Sequence, residues 1–308
     1  MNSPDKQKLF SFADIAMIIT TVCWGLNFVI TKSATGHEHD QFRIFVYNII
    51  RFPSAALLLF ITARLKGRKI MIYGRDMISV ALLSFVGIFV YQILYMFGQT
   101  MTESANIGII YSIAPILIVI ISVISKIDKP TFFTFAGGLL GFCGLVLILF
   151  EGGSFSIDKG SLLFFLGLFC WAFYAVFSKP ILDRYSPITV TAWVLFFGTV
   201  FQLPLAIYQI PNQMWAELSG QNILFVTLST LLSLYTGYTL FYYSVSKIGP
   251  AKAGIYTNLT PVFTIFFAVT IRGETIRMIQ IIGFAIIVSG IFVTKINYQF
   301  SGSKFGSK

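Results

Sequence analysis

Arg51 is the residue of this sequence best suited to bind an anion. It lies near the middle of an apolar run, residues 42–63, and no Asp or Glu occupies a comparable depth in another run. A buried charge is costly unless hydrogen bonds, a counter-ion or a ligand compensate it. Three roles remain open: hydrogen bonding to backbone carbonyls, binding of a substrate carboxylate or phosphate, and snorkelling of the side chain to an interface.

A second set of candidate residues lies in an eleven-residue sequence that occurs twice, as VCWGLNFVITK and, less exactly copied, as FCWAFYAVFSK. Helical spacing puts Asn27 on one face with Trp24 and Thr31. The corresponding face of the second copy carries Trp171 and Tyr174. Asn27 is predicted either to line a cavity or to hydrogen-bond a neighbouring helix. The two tryptophans are predicted to line the same cavity, to pack, or to anchor at an interface.

Tyrosines supply further hydrogen-bonding surface at matching places in the two halves of the chain. The candidates are Tyr91, Tyr95, Tyr111, Tyr238 and Tyr256. Any one of them could simply pack in a core. Together they predict an aromatic site that suits an amphipathic organic molecule better than an inorganic ion.

Pro115 and Pro261 occupy matching positions in the fourth and ninth apolar runs. Proline removes a backbone hydrogen bond and kinks a helix. Paired interruptions in corresponding helices are a sequence signal for a transport site. A static kink caused by packing is the alternative, and the two interpretations are compatible.

The elements that must position these residues are membrane helices. Of the 308 residues, 56% are hydrophobic and 11% are charged, and the mean hydropathy is +0.82. A soluble domain carries about 25% charged residues. A membrane helix needs about 20 mostly apolar residues. Ten stretches qualify, at residues 12–32, 42–63, 77–98, 105–125, 131–150, 160–180, 187–208, 221–244, 251–271 and 277–296. The predicted fold is an all-α polytopic membrane protein with a lipid bilayer as its surroundings.

The distribution of charge predicts which side each loop faces. Basic residues such as those of the 64–75 segment collect on one side, whereas acidic residues dominate the other. Because cytoplasmic loops are enriched in Lys and Arg, both termini are predicted to be cytoplasmic. The net charge of +10 is therefore a topology signal, and nucleic acid is not an expected partner. The three cysteines lie in apolar runs, so no disulfide framework is expected.

The two copies predict a duplicated five-helix unit. Cys23, Trp24 and Lys32 recur at a shift of 147 residues, and Pro115 recurs at a shift of 146. Residues 1–150 form the first predicted repeat and residues 151–300 the second, followed by a Gly/Ser/Lys-rich tail, 301–308, predicted to be disordered and of natural or vector origin. Because five is odd, the second repeat enters the membrane from the opposite face, and a substrate site is expected near the midplane between the halves.

The phrases CWGLNFVITK, RFPSAALLL, ANIGIIYSIAPI and AKAGIYTNLTPV resemble the EamA-type family of the drug/metabolite transporter superfamily. This resemblance implies a ten-helix carrier of amino acids, other metabolites or drugs, and bacterial members sit in the inner membrane. The second half departs from the first, with Tyr174 in place of Asn27 and Phe197 in place of Arg51. The polar chemistry is therefore expected to fall on the first half.

The function expected from the sequence is secondary transport, by alternating access, of a small organic metabolite, and export is the expected direction. An amino acid or a related amphipathic carboxylate fits Arg51 and the aromatic residues. The alternatives are a carrier of a phosphorylated or nucleotide-linked substrate, a membrane enzyme acting on a lipid-linked substrate, and a structural subunit. No catalytic residue, cofactor or metal is expected. The GHEHD segment, residues 36–40, is interpreted as a solvated loop. No proton relay through a carboxylate is expected. The protein is predicted to be a monomer or a homodimer.

Overall fold

The computed structural model describes residues 11–35, 41–102, 110–149, 158–272 and 278–301, and these residues are almost entirely helical. Consecutive helical pieces of one apolar run share one label here. The segments are α1 (Phe12–Ala34), α2 (Ile44–Leu65), α3 (Arg75–Ser84, Phe85–Val90 and Tyr91–Met101), α4 (Ala114–Ser125), α5 (Phe132–Leu149), α6 (Lys159–Phe177 and Lys179–Leu182), α7 (Pro187–Gln209), α8 (Gly220–Ser229, Thr230–Gly237 and Tyr238–Ile248), α9 (Pro250–Tyr256 and Leu259–Arg272) and α10 (Met278–Ser301).

The chain is a multi-pass membrane protein. Six stretches are long and apolar enough to cross a bilayer: Phe12–Ala34, Ile44–Leu65, Arg75–Gly98, Lys159–Leu182, Pro187–Asn212 and Gly220–Ile248. Three shorter apolar helices accompany them in the described part of the chain. The count of ten crossings and the side of each terminus stay predictions. The helix α10 extends through Ser301, so the predicted tail begins at least one residue later, and residues 302–308 lie outside the described ranges.

The contacts between the two repeats come in equivalent pairs. Helix α1 packs against α8 and α9, and α6, its counterpart, packs against α3 and α4. The pairs α2–α7 and α5–α10 each join a helix to its own counterpart. Most of the core therefore lies between the repeats, where every major contact has an equivalent.

Both repeats contain a wide-turn π-helical segment at the same place. Residues 85–90 of α3 and residues 230–237 of α8 adopt this form, and the shift of 146 residues superposes them. Such segments are rare and occur frequently at functional sites. Each one packs against the tryptophan-bearing helix of the opposite repeat, α6 for the first and α1 for the second.

The predicted proline positions begin new helical segments after short breaks. Pro115 lies in the first turn of α4, after a turn at residues 112–113. Pro261 lies in the first turn of Leu259–Arg272, after a turn at residues 257–258. A proline is tolerated at a helix start because its missing N–H needs no intrahelical partner there. The interruptions are thus breaks preceding each proline, at equivalent places in the two repeats.

Because the backbones of α5 and α10 are in contact, two adjacent glycines of α5 are expected to respond differently to substitution. A Cβ at Gly137 would lie 2.4 Å from the Gly290 carbonyl oxygen, whereas a Cβ at Gly138 would meet only Ile255 Cγ1 at 3.9 Å. Gly137→Ala is expected to lower the free energy of unfolding by about 1–3 kcal/mol, because the helices must separate. Gly138→Ala is the matched control and should cause no loss, since alanine favours the helix. Thermal denaturation in detergent compares them, and equal melting temperatures would contradict the packing.

Candidate functional site

Arg51 is the centre of a polar network contributed by four helices. It lies in the third turn of α2 and is 5% exposed. Its Nη2 donates to Asn27 Oδ1 on α1 at 3.4 Å, and its Nη1 donates to Asn48 Oδ1 at 3.4 Å. The hydroxyl of Ser229, the last residue before the π segment of α8, also donates to Asn27 Oδ1. The network therefore joins the two repeats at Asn27.

The network continues from Asn48 into α7. Asn48 Nδ2 donates to Gln202 Oε1 at 2.8 Å, and Gln202 Nε2 donates to the Gly198 carbonyl at 3.2 Å. Asn48 is 2% exposed and Gln202 is 0% exposed. Asn48, Gln202 and Ser229 were not predicted from the sequence. The available signal was the same one that identified Arg51, a polar side chain inside a long apolar run.

The partners of Arg51 leave its positive charge uncompensated. The guanidinium donates its described hydrogen bonds to neutral amide oxygens, and the Nε group has no partner in the described part of the chain. The ring of Tyr47 lies 4.6 Å from the guanidinium carbon, which adds a favourable cation–π contact. The site therefore positions a buried cation without a carboxylate among the described groups, and it can attract an anion.

The two tryptophans of the repeated sequence meet at the interface between the repeats. The ring centroids of Trp24 and Trp171 lie 5.6 Å apart in an edge-to-face arrangement. Trp24 also donates from Nε1 to the Ser233 carbonyl of the α8 π segment at 3.4 Å. Phe241 contacts both tryptophans, with ring centroids 5.4 Å from Trp24 and 5.6 Å from Trp171. Burial of both indoles excludes the interpretation that they anchor at a membrane surface.

Two of the predicted tyrosines contact this pair, and two more pack nearby. Tyr91 and Tyr238 contact Trp171 at centroid distances of 5.6 and 6.1 Å. Tyr95 contacts Tyr91 in a tilted arrangement, with ring centroids 5.6 Å apart. Tyr111 packs on the same core at the start of the break before α4. The structure thus brings together tryptophans and tyrosines from α1, α3, α6 and α8, and these residues lie in or against the buried core.

Asn27 and Tyr174 occupy corresponding positions in different environments. Asn27 is half-buried within the polar network, whereas Tyr174 is 0% exposed and packs on Tyr242 with ring centroids 5.7 Å apart. The Tyr174 ring also lies against Gly87 in the α3 π segment, where any side chain would collide with it. The polar chemistry belongs to the side of Asn27, and the equivalent space in the other half holds an aromatic ring.

Tyr256 belongs to the same buried core as the two tryptophans, and its hydroxyl reaches the first turn of α1, toward the opposite end of that helix from Asn27. Its hydroxyl donates to Asp14 Oδ1 at 2.8 Å, and Asp14 is 1% exposed. The other carboxylate oxygen of Asp14 accepts from the Ser11 amide and hydroxyl at 2.7 and 2.8 Å. This contact joins α1 to α9 and thus the first repeat to the second.

Asp158 is the N-cap residue of α6 and Ser161 follows three residues later, whereas in α1 the N-cap residue is Ser11 and Asp14 follows three residues later. Asp158 Oδ1 accepts from the Ser161 amide at 2.6 Å, and Asp158 Oδ2 accepts from the Thr102 hydroxyl at 2.8 Å. The bond from the Ser161 amide, followed by the bond from Thr102, lowers the pKa of Asp158 below its usual value. Its contribution to stability is therefore present above the ordinary aspartate pKa and is lost as the pH falls through the lowered one.

A surface groove is lined by residues that are next in sequence to two members of the polar network. It has a volume of about 560 Å³ and runs between α2 and α8, with Ile50, Ser54, Thr227 and Thr230 among its lining residues. Ile50 precedes Arg51 in the chain, and Thr230 follows Ser229. The groove is mostly apolar with hydroxyl groups, a composition suited to amphipathic molecules.

Comparison with known proteins gives a consistent family. The EamA-like transporter family matches residues 11–150 and again residues 158–296. The uncharacterized transporter YyaM of Bacillus subtilis is 26% identical over 77% of this chain and 79% of its own length. A probable terminal-alkyne amino-acid exporter of Streptantibioticus cattleyicolor is 23% identical over 90% of this chain and 91% of its own length.

A solved crystal structure shares the fold. It superposes with a TM-score of 0.76 at 19% sequence identity and covers 96% of this chain and 99% of the other. At this identity the likeness concerns the architecture alone. The two family matches and the relatives named as transporters confirm the resemblance found in the sequence.

Proposed function

Since the chain belongs to the EamA-like transporter family, we propose that it is a secondary transporter that binds a small organic carboxylate at Arg51. Transport as the activity follows from the family, whose relatives are named as transporters, so the chain is a transporter and not an enzyme. The carboxylate, the direction and the membrane are our proposals. Export across a bacterial inner membrane is the direction and location we favour.

One observation supports the carboxylate most directly. The guanidinium of Arg51 is buried at the repeat interface and is held by neutral oxygens, so its charge is available to a ligand. Arginine binds carboxylates and phosphates with paired, charge-assisted hydrogen bonds. A substrate carboxylate can therefore supply the anion that the protein itself omits from the described network.

The neighbouring aromatic cluster favours an amino acid or a similar amphipathic carboxylate. Trp24 is on the same face of α1 as Asn27, one turn away, so the charged site and the aromatic rings adjoin. A phosphorylated substrate would carry more negative charge than the one buried cation of this network can balance. The name of the Streptantibioticus relative, an amino-acid exporter, points in the same direction.

Alternating access provides the mechanism we propose. The main core lies between two repeats of equal packing pattern, so that contacts can be exchanged between equivalent partners. We infer ten crossings with both termini in the cytoplasm, and an inverted relation between the repeats. The tryptophan and tyrosine rings must separate to admit a substrate, because they contact one another in this conformation.

A ligand screen tests the proposed substrate class. Purified protein is heated with single amino acids, with nucleotides, with sugar phosphates or with cationic drugs. A ligand that binds only the folded state raises the melting temperature. We expect stabilisation by an amino acid or a simple amphipathic carboxylate. Stabilisation by cationic drugs alone would contradict the proposal.

Replacing Asn27 by aspartate places a carboxylate beside Arg51 and should occupy the cation. We expect Asn27→Asp to weaken carboxylate binding by about 10–100-fold, the range that corresponds to a lost charge-assisted interaction. The melting temperature of the ligand-free protein should not fall, because the new pair is opposite in charge. Isothermal titration with the best ligand of the screen measures the affinity.

Asn212→Asp is the matched control for Asn27→Asp. It adds the same charge at an exposed position between α7 and α8, away from Arg51. Its affinity should equal that of the unchanged protein. If Asn27→Asp also binds with unchanged affinity, the ligand does not use the charge of Arg51.

A further inference from the structure

Three buried polar atoms at one side of the network have no hydrogen-bond partner among the described residues. They are Arg51 Nε, the Tyr47 hydroxyl oxygen and Thr31 Oγ1. Tyr47 is 0% exposed and Arg51 is 5% exposed. An unpaired polar atom that is buried costs free energy, and in native proteins such an atom calls for an explanation.

The helical register brings these three atoms to the same region. Helices α1 and α2 run antiparallel, since the Phe42 amide donates to the Ala34 carbonyl and Arg51 donates to Asn27. Thr31 lies one turn beyond Asn27 on α1, and Tyr47 lies one turn before Arg51 on α2. Both residues therefore lie on the loop side of the polar network.

Packing supports this placement. Ala34, one turn beyond Thr31, belongs to a small core cluster that also contains Tyr47. The guanidinium carbon of Arg51 lies 4.6 Å from the centre of the Tyr47 ring. Asn27 and Thr31 on α1 and Tyr47 and Arg51 on α2 thus lie toward the same end of the two helices, and Val226 of α8 belongs to the cluster that joins them.

The chemistry of the three groups is complementary to an anion. Each carries a hydrogen that it can donate: one N–H and two O–H groups. A carboxylate has two oxygens with about four acceptor positions, enough for all three donors. A primary amine cation has no acceptor for them and is repelled by the guanidinium.

We propose that Thr31 and Tyr47 complete the anion site of Arg51, and that their hydroxyls and Arg51 Nε donate to the carboxylate of the transported molecule. This inference rests on the proposed function and deepens it. It assigns the unpaired atoms to recognition of a free carboxylate, so that the corresponding primary amide of the same molecule is bound weakly or not at all.

Conservative removal of each hydroxyl separates a binding role from a structural one. Tyr47→Phe and Thr31→Val are each expected to weaken binding of the stabilising amino acid by about 10-fold, the loss of one hydrogen bond to a charged ligand. The melting temperature of the ligand-free protein should stay equal or rise. Deleting a hydroxyl that has no partner removes a desolvation cost without removing a bond.

Tyr235→Phe is the matched control on α8. The Tyr235 hydroxyl lies 2.9 Å from Thr62 Oγ1, so it is already paired within the protein. This variant should show unchanged affinity and an equal or slightly lower melting temperature. We therefore expect weaker binding when the unpaired Tyr47 hydroxyl is removed and unchanged binding when the paired Tyr235 hydroxyl is removed.

The outcomes keep the two proposals apart. If the unchanged protein binds an amino acid and both variants bind it equally well, the role of Thr31 and Tyr47 is wrong while the proposed function stands. The same conclusion follows if Tyr47→Phe melts well below the unchanged protein, because its hydroxyl then has a structural partner. If the unchanged protein binds no amino acid or other carboxylate, both proposals fail. Should one variant not fold, the other decides alone, with Thr31→Ser as the rescue that retains the hydroxyl.

Discussion

Arg51→Gln is expected to weaken binding of the transported carboxylate by about 100-fold and to reduce its flux accordingly. Glutamine keeps much of the length and the hydrogen-bonding ability of arginine but removes the charge. A charge-assisted bond contributes up to about 3 kcal/mol, which corresponds to about 100-fold in affinity. The remaining amides, Asn27 and Asn48, offer no replacement cation. Isothermal titration and proteoliposome flux measure the two effects.

Two further variants show whether the loss of affinity depends on the charge and shape of the side chain at position 51. Arg51→Lys keeps a positive charge but lacks the planar, paired donors, and an intermediate loss is expected. Arg64→Gln, at an exposed position near the end of α2, removes an equal charge and should leave binding unchanged. An equal loss of affinity in Arg51→Gln and Arg64→Gln would indicate a general effect of charge. Unchanged affinity in Arg51→Gln would show that Arg51 does not belong to the binding site.

Trp171→Ala is expected to produce the largest loss of stability. The Trp171 ring contacts the rings of Trp24, Tyr91, Tyr174, Tyr238 and Phe241. Truncation of a buried tryptophan costs about 3–5 kcal/mol, because packing is lost and a cavity is left between the repeats. Thermal denaturation or denaturant titration in detergent measures the loss.

The control for Trp171 is a tryptophan of opposite environment. Trp215 is 51% exposed in the connection between α7 and α8, so Trp215→Ala should change stability little. Trp171→Phe should lose less than Trp171→Ala, since phenylalanine refills part of the space. Similar melting temperatures for the two alanine variants would contradict the placement of Trp171 between the repeats.

The residues most visible in the sequence were those with unusual type for their surroundings. Arg51 and Asn27 stood out as polar groups in apolar runs, and the repeated Cys-Trp pair marked a duplication. The structure places both Arg51 and Asn27 in one network and joins Trp24 to Trp171. A rare residue type and a repeat are properties of the sequence alone, which is why these features could be predicted.

The partners within the network could not be predicted in the same way. Asn48, Gln202 and Ser229 come together only because α2, α7 and α8 pack with particular rotations about their axes. Apolar helices give weak signals for rotation, since nearly every face is hydrophobic. The hydroxyls of Tyr47 and Thr31 became informative only when their lack of partners could be observed.

Local irregularities of the helices also could not be predicted from the sequence. The π segments of α3 and α8 have no distinctive composition, and their equivalence is visible only in the backbone. The prolines predicted kinks, and the structure has turns just before them, at residues 112–113 and 257–258. Such breaks depend on how neighbouring helices satisfy the freed backbone groups, and that information is tertiary.

The bond between Tyr256 and Asp14 is a contact that could not be predicted from the sequence. Tyr256 was predicted to line the binding site, and that role stays a prediction; the structure shows its hydroxyl donating to a buried carboxylate near the start of α1. The similarity between ANIGIIYSIAPI and AKAGIYTNLTPV suggested that Tyr256 corresponds to Tyr111. The two phrases differ by one residue between tyrosine and proline, so the two tyrosines do not occupy corresponding positions.

Exchange of a labelled amino acid across proteoliposomes tests the central claim most directly. Vesicles containing the purified protein are loaded with the unlabelled amino acid that stabilises it, and uptake of the labelled form is followed with and without a pH gradient. We predict uptake by the unchanged protein, loss of uptake in Arg51→Gln, and unchanged uptake in Arg64→Gln. Uptake by Arg51→Gln equal to that of the unchanged protein would contradict the account that a buried arginine at the repeat interface binds the substrate carboxylate.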